Sequence, residues 1–249
     1  MAITATQLTV VRGTFRLDVE TFFADASGTA IVGPNGAGKT TLLLALQGLL
    51  AYRGRVERPA SCAGVFSQPA VLRGSVSWNI TVVLQSALGL DTRTARQRAV
   101  AALRLVDLDT AEGQDARRLS AGQRQRLALA RALALEPRAL VLDEPFANID
   151  ADGRLALRQV VRDYVRRAGC ALVLATQVLA DVTPLCRRLI LLDRGRVAER
   201  LNAATLTATA THPYLRALLS EGRATGSWFT ADSGTPTTTR DHPKAEDPT

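Results

Sequence analysis

The stretch Gly33-Pro34-Asn35-Gly36-Ala37-Gly38-Lys39-Thr40 constrains this chain more than any other. It follows a short apolar run, Thr29 to Val32, and leads into a segment rich in helix formers, Lys39 to Leu50. Glycines at this spacing let the backbone curl with its N–H groups pointing inward, which makes a concave site for anionic oxygens. A helix beginning at the end of the loop adds its positive N-terminus. Lys39 supplies a point charge for β- and γ-phosphates, and Thr40 a hydroxyl for Mg²⁺, with Thr41 beside it. Residues Gly33 to Thr41 are therefore the expected cradle of a nucleotide triphosphate, ATP with Mg²⁺.

A second run points to the same chemistry. Ala139 to Leu142 is apolar and ends in Asp143-Glu144. Acids at the carboxyl end of a parallel strand lie where α/β sheets bind ligands. Asp143 is placed to hold Mg²⁺ through water, and Glu144 to polarise an attacking water.

The rest of the chain reads as strands alternating with helices, which argues an α/β fold with a mostly parallel sheet covered on both faces. Asp91 to Leu135 is helical in composition, with Ala95, Val100, Leu103 and Val106 on one face. Leu155 to Arg167 reads as a helix, Ala171 to Leu174 as a strand, and Leu189 to Arg196 as a strand ending in a turn. From Gly222 onward the sequence is rich in Thr, Gly, Pro and Asp without periodicity, and disorder is expected there. No apolar run approaches the roughly 18 residues of a membrane span. The three cysteines show no metal-ligand spacing. The formal charge of +8 comes from 31 basic residues, all but Lys39 and Lys244 being Arg. They form no run of five or six, so no nucleic-acid partner is expected.

Leu119-Ser120-Ala121-Gly122-Gln123 opens another helix, with Ser120 and Gln123 spaced as a capping box. Ala121 and Gly122 are small enough for a phosphate to approach that helix end. This stretch and the helix after it closely resemble the signature motif of ABC-type ATPases, and the other parts fall in family order. Gln68 resembles the Q-loop glutamine, and Ala147 to Asp150 the D-loop. The resemblance covers roughly residues 5 to 220.

The resemblance implies a RecA-like P-loop NTPase core with an inserted helical lobe at about residues 75 to 134, the cassette as a whole spanning residues 1 to 221. It implies that Gln68 joins Thr40 and Asp143 at Mg²⁺. It also implies that Ser120, Gly122 and Gln123 complete the ATP site of a second cassette, in a head-to-tail dimer most simply formed by two copies. ATP-driven closure would move integral-membrane permease subunits touching residues 68 to 79, at the cytoplasmic face of the membrane. A single cassette without a span or long coiled-coil insertion resembles prokaryotic importer ATPases, those of the tungstate, molybdate or phosphate type most of all, some working with a substrate-binding protein.

Two departures from the family stand out. The adenine-stacking aromatic is best matched by Phe15, closer to the loop than usual, with Phe22 and Phe23 as rivals. Where the family has a switch His after the strand ending at Ala175, this chain has Thr176-Gln177. Gln keeps an N–H donor but carries no charge. A hydrolysing transport ATPase is the expected function. An ATP-gated regulatory subunit with little turnover, or a non-transport ABC ATPase, is the alternative.

Overall fold

The structure is a computed structural model, and it describes residues 1–224. One nine-stranded sheet runs through it in the order β4-β1-β2-β9-β8-β3-β7-β6-β5. The strands are β1 Ile3–Arg12, β2 Phe15–Ala24, β3 Thr29–Val32, β4 Arg53–Glu57, β5 Cys62–Val65, β6 Ala139–Asp143, β7 Ala171–Ala175, β8 Arg188–Asp193 and β9 Arg196–Asn202. The principal helices are α1 Lys39–Leu46, α2 Val76–Leu88, α3 Thr92–Leu105, α4 Ala121–Ala134 and α5 Ala151–Ala168. Shorter ones follow: α6 Leu179–Val182, α7 Leu206–Thr209 and α8 Pro213–Ala224.

Five of the eight neighbouring strand pairs are parallel, as expected. The antiparallel remainder is β1 with β2 and with β4, and the β8–β9 hairpin, whose turn places Arg194 and Gly195 at positive φ. β1 and β2 are ten residues each.

Two cores flank the sheet, and single strands feed both by alternation. Along β6, Leu140 and Leu142 join the core under α2–α5, while Ala139 and Val141 join the core under α1, β1 and β2. β7 divides in the same way. A strand buried on both faces has to be apolar throughout, which is why β3, β6 and β7 read as unbroken apolar runs.

The helical lobe is formed by α2, α3 and α4. Ser75 and Asp91 cap α2 and α3 through their side chains, and Gly89 ends α2 in the left-handed conformation. On α3 the buried stripe is Ala95, Ala99, Ala102 and Leu103, continued by Val106. Val100, placed on that face from the sequence, is only half-buried. α1 is shorter than the expected Lys39–Leu50. It stops at Leu46 because Gly48, at φ +73, turns the chain. α8 carries the chain through Ala224, past the boundary at Glu221. The tail beyond it, residues 225–249, lies outside the described residues.

Candidate functional site

The phosphate loop joins β3 to α1 at the carboxyl edge of the parallel strands. Two glycines are fixed by what surrounds them. At Gly33 a Cβ would lie 2.1 Å from the Leu192 carbonyl oxygen. Gly38 has φ +105, and a Cβ there would meet the Phe15 ring at 2.8 Å. The loop is braced from behind by Gly195, whose N–H donates to the Ala37 carbonyl at 3.0 Å. The side chain of Lys39 turns back along the loop, donating to the carbonyls of Gly33 (2.7 Å) and Pro34 (3.1 Å). Burial pulls its pKa down, and the charges of Glu144 and Asp143 oppose that shift.

β3, β7 and β6 are neighbours, so the residues leaving their ends converge. Thr40 Oγ1 donates to Asp143 Oδ2 at 2.6 Å across 103 positions of sequence. Glu144 follows at φ +48, a strained conformation for a residue with a Cβ. It is pinned by its own N–H on the Ala175 carbonyl (2.9 Å) and by Thr176 Oγ1, which donates to Glu144 Oε2 at 3.3 Å. Its other oxygen, Oε1, is buried without a partner. Burial raises the pKa of both acids. For Asp143 the Thr40 hydroxyl and then Lys39 oppose the shift. For Glu144 the Lys39 charge opposes it, the charge of Asp143 adds to it, and Thr176 and the Gln177 N–H weaken it. Gln177 Nε2 donates to Asn35 Oδ1 at 2.7 Å, closing the cleft on its β7 side.

These groups line one open cleft of about 950 Å³, with Phe15, Gly36, Gly38, Lys39, Thr40, Thr41, Asp143 and Glu144 among its walls. Phe15 is the predicted aromatic that reaches the cleft. Phe22 is core, and Phe23 instead lies under the Arg188 guanidinium at 4.8 Å. Gln68 is exposed and is not among the lining residues; its neighbour Ser67 is. Sequence reasoning missed Ser67, Arg12 and Gly13 in the lining, and Thr176 beneath it. It also missed Gln125, buried in α4, whose Nε2 reaches the Glu144 carbonyl at 3.4 Å.

The donor set fits Mg²⁺. Thr40 and Asp143 offer only oxygens, already side by side, and a hard cation that keeps several waters takes one or two protein oxygens plus phosphate. No group of three or more His, Cys, Asp or Glu side chains is assembled among the described residues, so a dedicated protein cage is not what the site offers.

Ser120, Gly122 and Gln123 stand apart from this cleft. Ser120 Oγ accepts from the Gln123 N–H (3.2 Å), and Gln123 Oε1 accepts from the Ser120 N–H (2.9 Å), the capping box read from the sequence. Gly122 packs against the D-loop, where a Cβ would lie 2.6 Å from the Asn148 carbonyl oxygen. Asp150 caps α5 through the Gly153 N–H at 2.6 Å.

A family model described as ABC transporter matches residues 18–147, a span that takes in the phosphate loop, the signature helix and the Asp143-Glu144 strand. The chain belongs to the ABC transporter family. As an ABC ATPase it binds and hydrolyses ATP. It is 36% identical over 197 residues to the tungstate uptake system ATP-binding protein TupC of Peptoclostridium acidaminophilum, covering 75% of this chain and 92% of TupC. It is 37% identical over 215 residues to the molybdenum import ATP-binding protein ModC of Mycobacterium tuberculosis (strain H37Rv), covering 78% of this chain but 58% of ModC. The chain thus spans little more than half the length of that relative. Among solved structures, a dimeric post-hydrolysis ATP-binding cassette bound to ADP and Pi superposes with a TM-score of 0.72, at 21% identity, over 81% of this chain and 98% of that one. At that identity the likeness shows the fold of an ABC cassette. Among the described residues, no helix is long and apolar enough to cross a membrane.

Proposed function

We propose that this chain is the ATP-hydrolysing subunit of an importer whose cargo is an oxyanion, and that two copies work head to tail beneath a pair of integral-membrane permease subunits. The observation that carries the hydrolytic reading is the convergence of Thr40, Asp143 and Glu144 at one edge of the phosphate loop. The cargo class rests on the uptake and import systems that TupC and ModC are named for.

In this reading the loop N–H groups and Lys39 hold the phosphates, and Phe15 offers its ring to the adenine. Thr40 and Asp143 would hold Mg²⁺, which when bound neutralises charge on the phosphate oxygens. Glu144 accepts a hydrogen bond from the attacking water. Its unpartnered Oε1 is the acceptor for that proton, while Thr176 occupies Oε2 and fixes the carboxylate plane. Gln177 donates its amide N–H toward the γ-phosphate. The partner copy's signature helix closes the site from the far side through Ser120 and Gly122, with its positive N-terminus toward the phosphates.

Reconstitution with the permease in liposomes tests the proposal. ATP turnover should rise when tungstate or molybdate is presented with its binding protein, and labelled oxyanion should accumulate. ATP turnover without uptake of any oxyanion would overturn the cargo assignment.

A further inference from the structure

We propose that Asn35 is the positioning residue for Gln177, its side-chain oxygen holding the donor end of the glutamine amide toward the phosphate loop. The inference rests on the reading of Gln177 as the donor at the switch position. It answers a difficulty that a neutral residue creates there. A glutamine amide has a donor end and an acceptor end, and only the donor end attracts a phosphate oxygen. Something has to select between the two orientations.

Sheet register brings a partner for that amide within reach. Ile31 of β3 is paired with Ala175 of β7, so the chain leaving each strand passes close to the other. Four residues beyond Ile31 stands Asn35, and two beyond Ala175 stands Gln177. Their side chains meet at 2.7 Å across 142 positions of sequence, Gln177 Nε2 donating to Asn35 Oδ1. An amide nitrogen carries two N–H groups. With one committed to Asn35, the second remains on the same nitrogen, and Gln177 is among the residues lining the cleft.

The backbone on either side of Gln177 is already fixed. Thr176, fully buried, ties Glu144 to the Val178 N–H, the latter at 3.0 Å. Asp181, 1% exposed on α6, takes a two-pronged grip from Arg154 at 3.0 and 2.6 Å. Arg158 adds a bond of 2.7 Å to the Ala180 carbonyl. These bonds anchor the backbone around Gln177, and Asn35 is the partner of its side chain.

The test is a double-mutant cycle on the purified full chain, measuring kcat and KM for ATP. Asn35→Ala and Gln177→Ala should each lower kcat several-fold with little change in KM, and the double variant should fall no further than the poorer single. Multiplying losses, or an Asn35→Ala effect confined to KM, would make Asn35 an independent nucleotide contact and overturn the proposal. A pH profile gives a readout that mere structural damage would not move. Gln177→His introduces a titration into kcat, and adding Asn35→Asp should move its midpoint upward by about half a unit or more, since a carboxylate beside imidazole favours its protonated form. An unmoved midpoint contradicts the contact. If Gln177→Ala leaves kcat unchanged, the switch reading falls and the positioning with it. If Gln177→Ala lowers kcat and Asn35→Ala does not, only the positioning falls.

Discussion

The phosphate-loop end and the signature end of this molecule are built to opposite plans. Around Lys39 the functional groups find one another within a single chain: Thr40 with Asp143, Thr176 with Glu144, Gln177 with Asn35. Around Ser120 the helix is capped by its own side chains, and among the described residues Ser120, Gly122 and Gln123 are not part of the lining of the cleft at Lys39. The first region is one wall of an active site. On the proposed head-to-tail pairing, the second is the wall that a partner copy brings to that site. Changes at the two ends should therefore fail in different ways.

The largest effect is expected at Glu144. Glu144→Gln removes the acceptor for the water proton and should reduce kcat by about 10²–10³, the scale seen when a positioned catalytic group is lost. ATP binding should survive, so nucleotide titration and turnover measured on one preparation will separate the two. Next comes Lys39→Ala, which removes a charge-assisted contact to phosphate and should weaken ATP affinity by about tenfold or more. A fluorescent ATP analogue checks it. At the other end, the proposed pairing has Ser120 serve the partner copy's ATP, so Ser120→Ala should lower kcat several-fold while leaving the ATP affinity of the monomer within about twofold; its lost cap costs about 1 kcal/mol of stability. An equal loss of monomer affinity for Lys39→Ala and Ser120→Ala would erase the distinction between the two ends.

What could be read from the sequence follows the same division. The loop, the acid pair and the capping box are local patterns, each fixed by residues within a few positions, and the structure puts the loop between β3 and α1, the acids at the end of β6 and the capping box at the start of α4. Thr176, Gln125 and Ser67 carry no such pattern. Their place depends on β7 lying between β3 and β6 and on α4 passing beneath Glu144, which is decided by strand order rather than spacing. Gln68 was named by resemblance, and the conformation described here turns Ser67 to the cleft instead. The end of α1 was misjudged because the apolar run continues to Leu50, while Gly48 at φ +73 turns the chain before it. The antiparallel edge of β1, β2 and β4 has no motif at all.

The smallest expected effect concerns stability. Burial raises the Glu144 pKa in the folded chain. A carboxyl with a raised folded-state pKa contributes stability that is present below its unfolded pKa and lost as pH rises through the folded value. At neutral pH the charged, half-satisfied carboxylate is therefore a burden, and Glu144→Gln should raise the nucleotide-free Tm by about 2–4 °C if the relief is near 1 kcal/mol. The gain should shrink as pH falls and vanish below about pH 3.5, where Glu144 holds its proton in both states. A Tm difference independent of pH would assign the effect to packing instead.

The central claim is that each ATP is held between two copies of this chain. Light scattering of the Glu144→Gln variant, with and without saturating ATP and Mg²⁺, tests it most directly. The account predicts a monomer without nucleotide and a dimer with it, the shift abolished by adding Lys39→Ala or by replacing Gly122 with a bulky residue. A Glu144→Gln protein that binds ATP and stays monomeric at every concentration would contradict it.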